Sequence, residues 1–442
     1  MWFSPWRRIL RGRSGDAKPS GLRAGTKFVE EDTGVEYTYD PVMKDWKKRV
    51  EPYSALVCKD GSTVWAEDAS GKTIASGEAG VDDASVIQSA YNEVNDAFVN
   101  IYIKSGVYEL YADLNFDIGV KNFALVGEHR AYRYESSGIA GTVLKFHNGK
   151  GIKITYSTGR NRGFRLEGLR LDGIDKTGVG IKIGDQANNK LIGGFEISDI
   201  TLTNFDTGVS VFGCSYVLGR VYVEESEVGF DITSPEGSGL ATLLCCGAFY
   251  NTSYGIYIGK EGVPLDYTLI NCNVAGNDVG LYLNRVRGFQ ALGLFTEGNN
   301  KDIVVKDVSS GSFFGGHITG NIEIGSDGSS PVNIQFMNVV NGDNKDLISF
   351  NIIAGYGILI DLGYHDTDVI SRITGDLTYT TLIRNNWTHG ATLFDGRGVG
   401  ATRLIIPTSA PSSPKAGDMY FDTDTSTLYI YDGSAWKSVS LT

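Results

Sequence analysis

The sequence predicts an all-β protein: a right-handed, single-stranded parallel β-helix with small β-hairpin modules at both ends. Three features carry this expectation. The first is a tetrad of Gly, apolar, any residue, apolar. It recurs at Gly151-Ile152-Lys153-Ile154, Gly180-Ile181-Lys182-Ile183, Gly208-Val209-Ser210-Val211, Gly229-Phe230-Asp231-Ile232, Gly255-Ile256-Tyr257-Ile258 and Gly280-Leu281-Tyr282-Leu283, with looser copies beginning at Asp302 and Asn321. The steps run from 19 to 29 residues, a period typical of solenoids. The second is a set of alternating stretches between the tetrads, such as Phe164-Arg-Leu166-Glu-Gly-Leu169-Arg-Leu171 and Phe195-Glu-Ile197-Ser-Asp-Ile200-Thr-Leu202. Period-2 alternation means strands with one buried face, and it excludes helical repeats. The third is 57 Gly in 442 residues without a Gly-X-Y period, which suits many tight corners and excludes collagen.

Five segments follow along the chain. Residues 1–24 are aromatic and basic, beginning Met1-Trp-Phe-Ser-Pro-Trp-Arg-Arg. The charges follow the apolar residues with no apolar run after them, so the segment reads as an anchor or tail rather than a signal peptide. Residues 25–80 form a small β module. Residues 81–330 are the trunk, opened by a capping helix near Val86, Ile87, Ala90, Tyr91 and Val94, whose spacing is i, i+4. Asp82 or Asp83 is placed to N-cap it. Residues 331–405 continue the coils irregularly or form a separate β domain. Residues 406–442 hold a Pro/Ser linker and a hairpin tip. The Gly that opens each tetrad is expected to take positive φ at a corner. Leucine-rich repeats are disfavoured because no Asn or Cys position recurs at a fixed offset.

The two ends repeat each other. Gly25-Thr-Lys-Phe28-Val29…Tyr37-Thr-Tyr39-Asp40…Trp46 aligns with Gly417-Asp-Met-Tyr420-Phe421…Tyr429-Ile-Tyr431-Asp432…Trp436. Each copy reads as strand, turn, strand, turn, Trp.

Composition narrows the function. A net charge of −12 repels phosphates and argues against a general nucleic-acid binder, but it leaves sugars open. Five scattered Cys without a C-x-x-C spacing read as buried free thiols. No apolar run is long enough to insert in a membrane. The five His lack ligand spacing, and Asp422-Thr-Asp424 lacks the Gly and Glu of a calcium loop, so no metal or cofactor is expected.

Chemistry is then left to carboxylates and aromatics on the outside of the tube. Aligning coils on their Gly tetrads gives one column of Asp172, Thr203, Glu224, Asn251, Ala275 and Glu297, and a second of Asp206, Glu227, Tyr254, Asp278 and Asn300. Asp206, Glu224 and Glu227 are the candidate catalytic residues, since two carboxylates about 5 to 9 Å apart are what glycoside hydrolysis needs. The competing reading of Glu224-Glu225-Ser226-Glu227 is a solvated polar turn. Tyr257 and Tyr282 occupy the outward tetrad position in successive coils, with Tyr222 on a neighbouring face; these and Trp387 are candidates for carbohydrate contact or for a subunit interface, the latter favoured for a fibre.

Residues 80 to 330 also carry a resemblance. Asp82-Asp83, the short helix, Ile101-Tyr-Ile103…Gly106-Val107-Tyr108 and Leu125-Val126-Gly127-Glu128 resemble the opening of the pectate-lyase-like superfamily. The Pro-rich linker followed by Gly417-Asp-Met-Tyr420-Phe421-Asp422…Trp436 resembles the hairpin modules of bacteriophage tail fibres and tailspikes. The resemblance implies a virion protein of the phage tail, made in the host cytoplasm. It implies a homotrimer, attached through its N-terminus to tail or baseplate proteins, that binds host-surface polysaccharide and in some members degrades it. The lyase branch implies a calcium–carboxylate cluster with an Arg or Lys base. No cluster here matches, and Arg285 and Arg287 stand isolated, so hydrolysis or no activity is favoured over elimination. A purely structural receptor-binding protein and a free-standing polysaccharide-degrading enzyme are the alternatives.

Overall fold

In a computed structural model, the described residues are 53–94, 96–128, 141–157, 163–234, 240–259, 266–325 and 331–339, strand segments between 349 and 387, and parts of 9–48 and 410–439. The trunk is a parallel β-solenoid. Each coil contributes strands to three faces, and each face pairs in register with the coils before and after it. The first face runs through Phe98–Ile103, Asn122–Gly127 and Phe164–Glu167 and, further along, Ala241–Leu244, Tyr267–Ile270, Phe289–Leu292 and Gly311–Phe314. The second runs through Gly106–Leu110, Thr142–Phe146, Leu169–Gly173, Gly247–Phe249, Asn273–Ala275 and Phe295–Glu297. Glu196–Thr203 and Tyr216–Glu224 bend across both. The third face is the tetrad face, from Leu114–Asp117 through Val228–Thr233, Tyr254–Ile258 and Val279–Val286 to Asn321–Ile324.

Alternation decides what points in. On the third face the column Ile152, Ile181, Val209, Phe230, Ile256, Leu281, Ile303 and Ile322 is fully buried. On the first face Phe123, Phe164, Phe195 and Tyr216 stack at 5.5, 4.7 and 4.7 Å between ring centroids. Rungs about 4.8 Å apart place like side chains in van der Waals contact.

The corners differ from expectation. None of the six tetrad glycines has positive φ. They are glycines because there is no room: a Cβ on Gly151 would lie 2.0 Å from the Val179 carbonyl oxygen, and one on Gly229 2.4 Å from that of Gly255. The left-handed residues sit instead at the bend between the first and second faces, at Gly168, Asp199, Arg220, Cys245, Asn271, Gly293 and Gly315 (φ +50 to +69). From Phe164 onward the connections there are at most two residues. Those from second to third face take two to five, and those from third back to first take one to twelve.

The expected absence of an Asn ladder is also overturned. Between the second and third faces, Ser226, Asn251, Asn277 and Asn299 stack inside the turn. Asn251 Oδ1 accepts from the Ser226 amide at 3.1 Å, Asn277 Oδ1 from the Asn251 amide at 3.0 Å, and Asn299 Oδ1 from the Asn277 amide at 2.9 Å. Each Nδ2 donates onward, and the last, on Asn299, donates to the buried Asp302 at 2.8 Å. Ser226, Asn277 and Asn299 each precede the tetrad position by three residues and Asn251 precedes it by four, so the offset was present but blurred.

The N-terminal end is closed by the helix Asp83–Asn92, as the apolar spacing predicts, but neither acidic residue caps it. Asp82 Oδ2 accepts from the Glu78 amide. Asp83, fully buried, accepts from Lys59 Nζ at 2.7 Å and from the amides of Glu109 and Gly80. It therefore ties the cap to strand Ala55–Asp60 and to the second face. Strand Ala55–Asp60 itself pairs in parallel with Phe98–Ile103. The helix C-terminus is met by Lys121, whose ammonium donates to the carbonyls of Tyr91 and Val94; burial lowers its pKa.

Beyond residue 330, Ile334–Val339, Ser349–Ile352, Ile358–His365, Arg372–Gly375 and Thr380–Trp387 continue the trunk's sheets. The terminal repeat has one register in both copies: Phe28 faces Tyr37 and Tyr39 faces Trp46, as Tyr420 faces Tyr429 and Tyr431 faces Trp436. Asp422 Oδ1 accepts from the amides of Asp424 and Thr425, a turn as read. Cys246 and Cys272 are buried free thiols, but Cys58, Cys214 and Cys245 are only partly covered. Among the described residues no helix is long and apolar enough to cross a membrane.

Candidate functional site

The two predicted outer columns are nearly right. The first runs Asp172, Thr203, Glu224, Phe249, Ala275, Glu297. Asn251 is not in it, because its coil carries one extra residue in the turn, and Asn251 belongs to the buried ladder. The second runs Asp206, Glu227, Ser253, Asp278, Asn300: the amides of Val228, Tyr254, Val279 and Lys301 each donate to the column residue one coil back. Tyr254 sits one position past it, beside Val228 and Val279.

The three candidate carboxylates divide between these columns. Asp206 and Glu227 are exposed on adjacent rungs, with the Glu227 amide donating to the Asp206 carbonyl at 3.1 Å. Glu224 is half-buried around the corner on the second face, directly above Thr203. Glu225 in the left-handed region and buried Ser226 separate it from Glu227. The three candidates therefore give one pair, Asp206 and Glu227, about one rung apart, and a third carboxylate, Glu224, on a different face.

The tyrosines do assemble. Tyr257 and Tyr282 stack at 4.8 Å and 19°, and Tyr254 meets both edge-on at 4.9 and 5.4 Å. Asp231 lies one rung before Tyr257, and a Lys301–Glu323 pair at 2.9 Å closes the other end. Burial, reinforced by the neighbouring tyrosines, pushes the Tyr282 phenol up to about 12, so this ring stays a neutral hydrogen-bond partner at physiological pH. Tyr222 is on the second face, stacked over Phe249 at 6.3 Å. Trp387 ends strand Thr380–Trp387, and its side chain lies outside the described residues.

Two groups were not singled out from sequence. On the second face of the first coils, Glu109 accepts from His147 Nε2 at 2.7 Å and pairs with Lys145 at 3.3 Å, while Tyr111 stacks on His147 at 4.3 Å. One rung on, Asp172 accepts from Arg170 Nε and Thr203 Oγ1, both at 2.8 Å. Burial works to raise the Glu109 carboxyl, but the bonds from His147 and Lys145 outweigh it and hold it below the usual range. The signal was the run Lys145-Phe-His147 above Glu109-Leu-Tyr111, legible only once the register is known.

The second group is apolar. Leu244, Ile270, Leu292, Phe314 and Met337 form one outward column on the first face, with Leu292 and Phe314 exposed. The parallel column Thr242, Thr268, Gln290, Ser312 and Gln335 carries no charge.

Among the described residues no three His, Cys, Asp or Glu side chains converge as metal ligands. A concavity of about 820 Å³ lies at the N-terminal end, lined by Tyr53, Asp68, Lys72, Glu93, Asp96 and Phe98, away from the tyrosine cluster.

No family model matches the sequence, and no curated protein matches it. Among solved structures, the chain is similar to a mutant of DFA-IIIase from Arthrobacter chlorophenolicus A6 in complex with DFA-III. Identity there is 12% over 74% of this chain and 96% of that one, with a TM-score of 0.46. It is similar to the mannuronan C-5 epimerase AlgE4 A-module of Azotobacter vinelandii at 15% identity, 76% and 97% coverage and a TM-score of 0.41. It is similar to the ORF18 protein of Geobacillus virus E2 at 13% identity, 99% and 100% coverage and a TM-score of 0.40. At these values no residue role passes from those proteins to this chain.

Proposed function

We propose that the chain is a bacteriophage tail protein, a spike or short fibre, whose trunk binds polysaccharide of the host surface. The observation that carries this reading is the Tyr254, Tyr257, Tyr282 cluster. Three rings are held rigidly on regular rungs of the third face, half-covered by one another and open on the outer side. Rigid aromatics offer apolar area at low entropic cost and hydroxyls for sugar contacts.

Self-association uses a different face. The apolar column from Leu244 to Met337 is where copies of a chain with charge −12 approach without repulsion. A straight column along the trunk axis suits three copies lying side by side. With the first face buried in the homotrimer, the tyrosines of the third face stay available to the glycan rather than to a neighbour. The N-terminal segment attaches the trimer to the tail or baseplate.

A second reading, depolymerase, is favoured by Asp206 and Glu227 on adjacent rungs, a spacing near the short end for paired carboxylates in glycoside hydrolysis.

Purified capsular polysaccharides and lipopolysaccharides from a strain panel test both readings. Binding that falls about tenfold in Tyr257→Ala and Tyr282→Ala, corresponding to about 1.4 kcal/mol, is the expected result. Binding to no glycan, or equal binding by wild type and both variants, overturns the carbohydrate assignment. Released oligosaccharide with saturated non-reducing ends that disappears in Asp206→Asn and Glu227→Gln would establish hydrolysis; unsaturated ends would indicate elimination instead.

A further inference from the structure

We propose a second carbohydrate subsite, specific for an acidic saccharide, on the second face of the first coils, built from Tyr111, His147, Lys145 and Arg170. It rests on the reading of the trunk as a carbohydrate binder but uses none of the residues that carry that reading.

The frame is rigid. Glu109, Lys145 and Asp172 occupy the same position on three successive rungs. Tyr111 and His147 follow two residues further along the first two of these rungs, ring on ring at 4.3 Å and 15°. Glu109 holds His147 from beneath through Nε2, leaving Nδ1 as the atom of that ring with open hydrogen-bonding capacity. Tyr111 is 50% exposed. One side of its ring is spent on the imidazole, and the rest is open. An aromatic ring fixed from below and open above is a stacking platform for a sugar.

Most of the unused polar capacity is that of cationic donors. Both Glu109 oxygens are engaged, and Asp172 accepts two bonds on one oxygen. Arg170 donates only through Nε, so both Nη groups are without a partner among the described residues. Lys145 makes a single long contact of 3.3 Å. Beside Asp172 Oδ2 and His147 Nδ1, which can accept from sugar hydroxyls, the Arg170 and Lys145 cations can still donate to an anion. A guanidinium edge matches a carboxylate in a bidentate fashion.

The charge of the surrounding sequence points the same way. Residues 101–190 hold 14 Lys and Arg against 9 Asp and Glu, in a chain whose net charge is −12. Among the described residues of this stretch the count is 10 against 8, so these coils are close to neutral on an acidic protein. They repel an anionic chain less than the rest of the surface does. A polyanion without sugar rings would use the charge but not the platform.

Titration calorimetry on the full chain tests this with oligouronates, sialylated oligosaccharides, their neutral counterparts, and inorganic polyphosphate. At least one carboxylated probe should bind at least tenfold tighter than its neutral counterpart. Tyr111→Ser should weaken that probe about tenfold. Arg170→Met should remove the preference for acid over neutral, and Asn300→Ala, in the exposed column on another edge of the trunk, should leave it intact. Circular dichroism on each variant separates loss of binding from loss of fold; Tyr111→Ser, being at an exposed ring, keeps the test available if Arg170→Met misfolds. The proposal is overturned if no carboxylated probe binds in a Tyr111-dependent way, or if polyphosphate binds equally and independently of Tyr111. If acidic probes bind here while Tyr257→Ala and Tyr282→Ala change no glycan binding, the tyrosine-cluster reading fails alone.

Discussion

Replacing Asn277 with Ala probes what holds the corner between the second and third faces. Asn277 is 3% exposed. Its side chain makes four hydrogen bonds: Nδ2 to the Ala248 carbonyl at 3.1 Å and to Asn299 Oδ1 at 2.9 Å, and Oδ1 from the amide and Nδ2 of Asn251 at 3.0 and 2.9 Å. Asn251 Nδ2 keeps a long contact with the Val223 carbonyl at 3.5 Å, but the Asn251 amide is left with nothing. One buried orphan costs about 1–3 kcal/mol and each lost neutral bond about 1 kcal/mol. The substitution should therefore cost about 4–6 kcal/mol. In a solenoid each coil couples mainly to its neighbours, so the loss should be local. Native-state hydrogen exchange reads it directly: protection of the Asn251 amide should fall by a factor on the order of 100 or more, while amides several coils away stay unchanged. Asn300→Ala is the control. Asn300 bonds Asp278 at 2.8 Å in the exposed column next door and should cost less than about 0.5 kcal/mol. If Asn277→Ala costs under about 1 kcal/mol, or the exposed control costs as much, the ladder does not hold the corner.

Four further outcomes follow from the same geometry. Asp83→Ala strips Lys59 of its buried partner and orphans the Glu109 and Gly80 amides, so it should cost about 3–5 kcal/mol, seen as a lower urea midpoint; Lys59→Met with Asp83→Leu should recover part of that loss. Burial raises the Asp302 carboxyl, against the bonds from Asn299 and Thr296. The native state therefore keeps a proton that the unfolded chain has released, and this contribution to stability is full below the unfolded pKa near 4 and is lost as pH rises through the raised value. Asp302→Asn should flatten that slope in denaturation midpoints taken from pH 4 to 8, and an unchanged slope would refute the assignment. Gly255→Ala would set a Cβ 2.7 Å from the Gly280 carbonyl oxygen and should lower the thermal midpoint by overpacking worth about 1–3 kcal/mol. Leu292→Lys with Phe314→Lys should reduce the light-scattering mass from a trimer to a monomer without altering circular dichroism; a wild type that is already monomeric would remove the proposed interface.

Much of the architecture could be read from the residues because a solenoid repeats its instructions. Ile152, Ile181, Val209 and Phe230 announce one inward column through spacing alone, and the Phe28–Tyr37 and Tyr420–Tyr429 pairs announce one hairpin twice. What failed were inferences that needed the exact rung. A single extra turn residue before Tyr254 moved Asn251 from the buried ladder into an outer column on paper, and moved Tyr254 by one place. Sequence alone points the tetrad glycines to a backbone conformation, whereas their constraint is the carbonyl of the next coil, which no single-coil view reveals. The Tyr111–His147–Glu109 group was hidden for the same reason: its members are 38 residues apart at the extremes of one hydrogen bond and neighbours only across a rung.

The uneven connections between the third and first faces have an evolutionary reading. From Phe164 onward, two edges of the trunk are held to a few residues by left-handed bends and by stacked amides, so they transmit the stagger of one coil to the next. The remaining edge takes spans from one to twelve residues without disturbing that stagger. Sequence can be inserted, exchanged or deleted along that single margin while the tube beneath keeps its alignment, so variation in length between related chains should collect there.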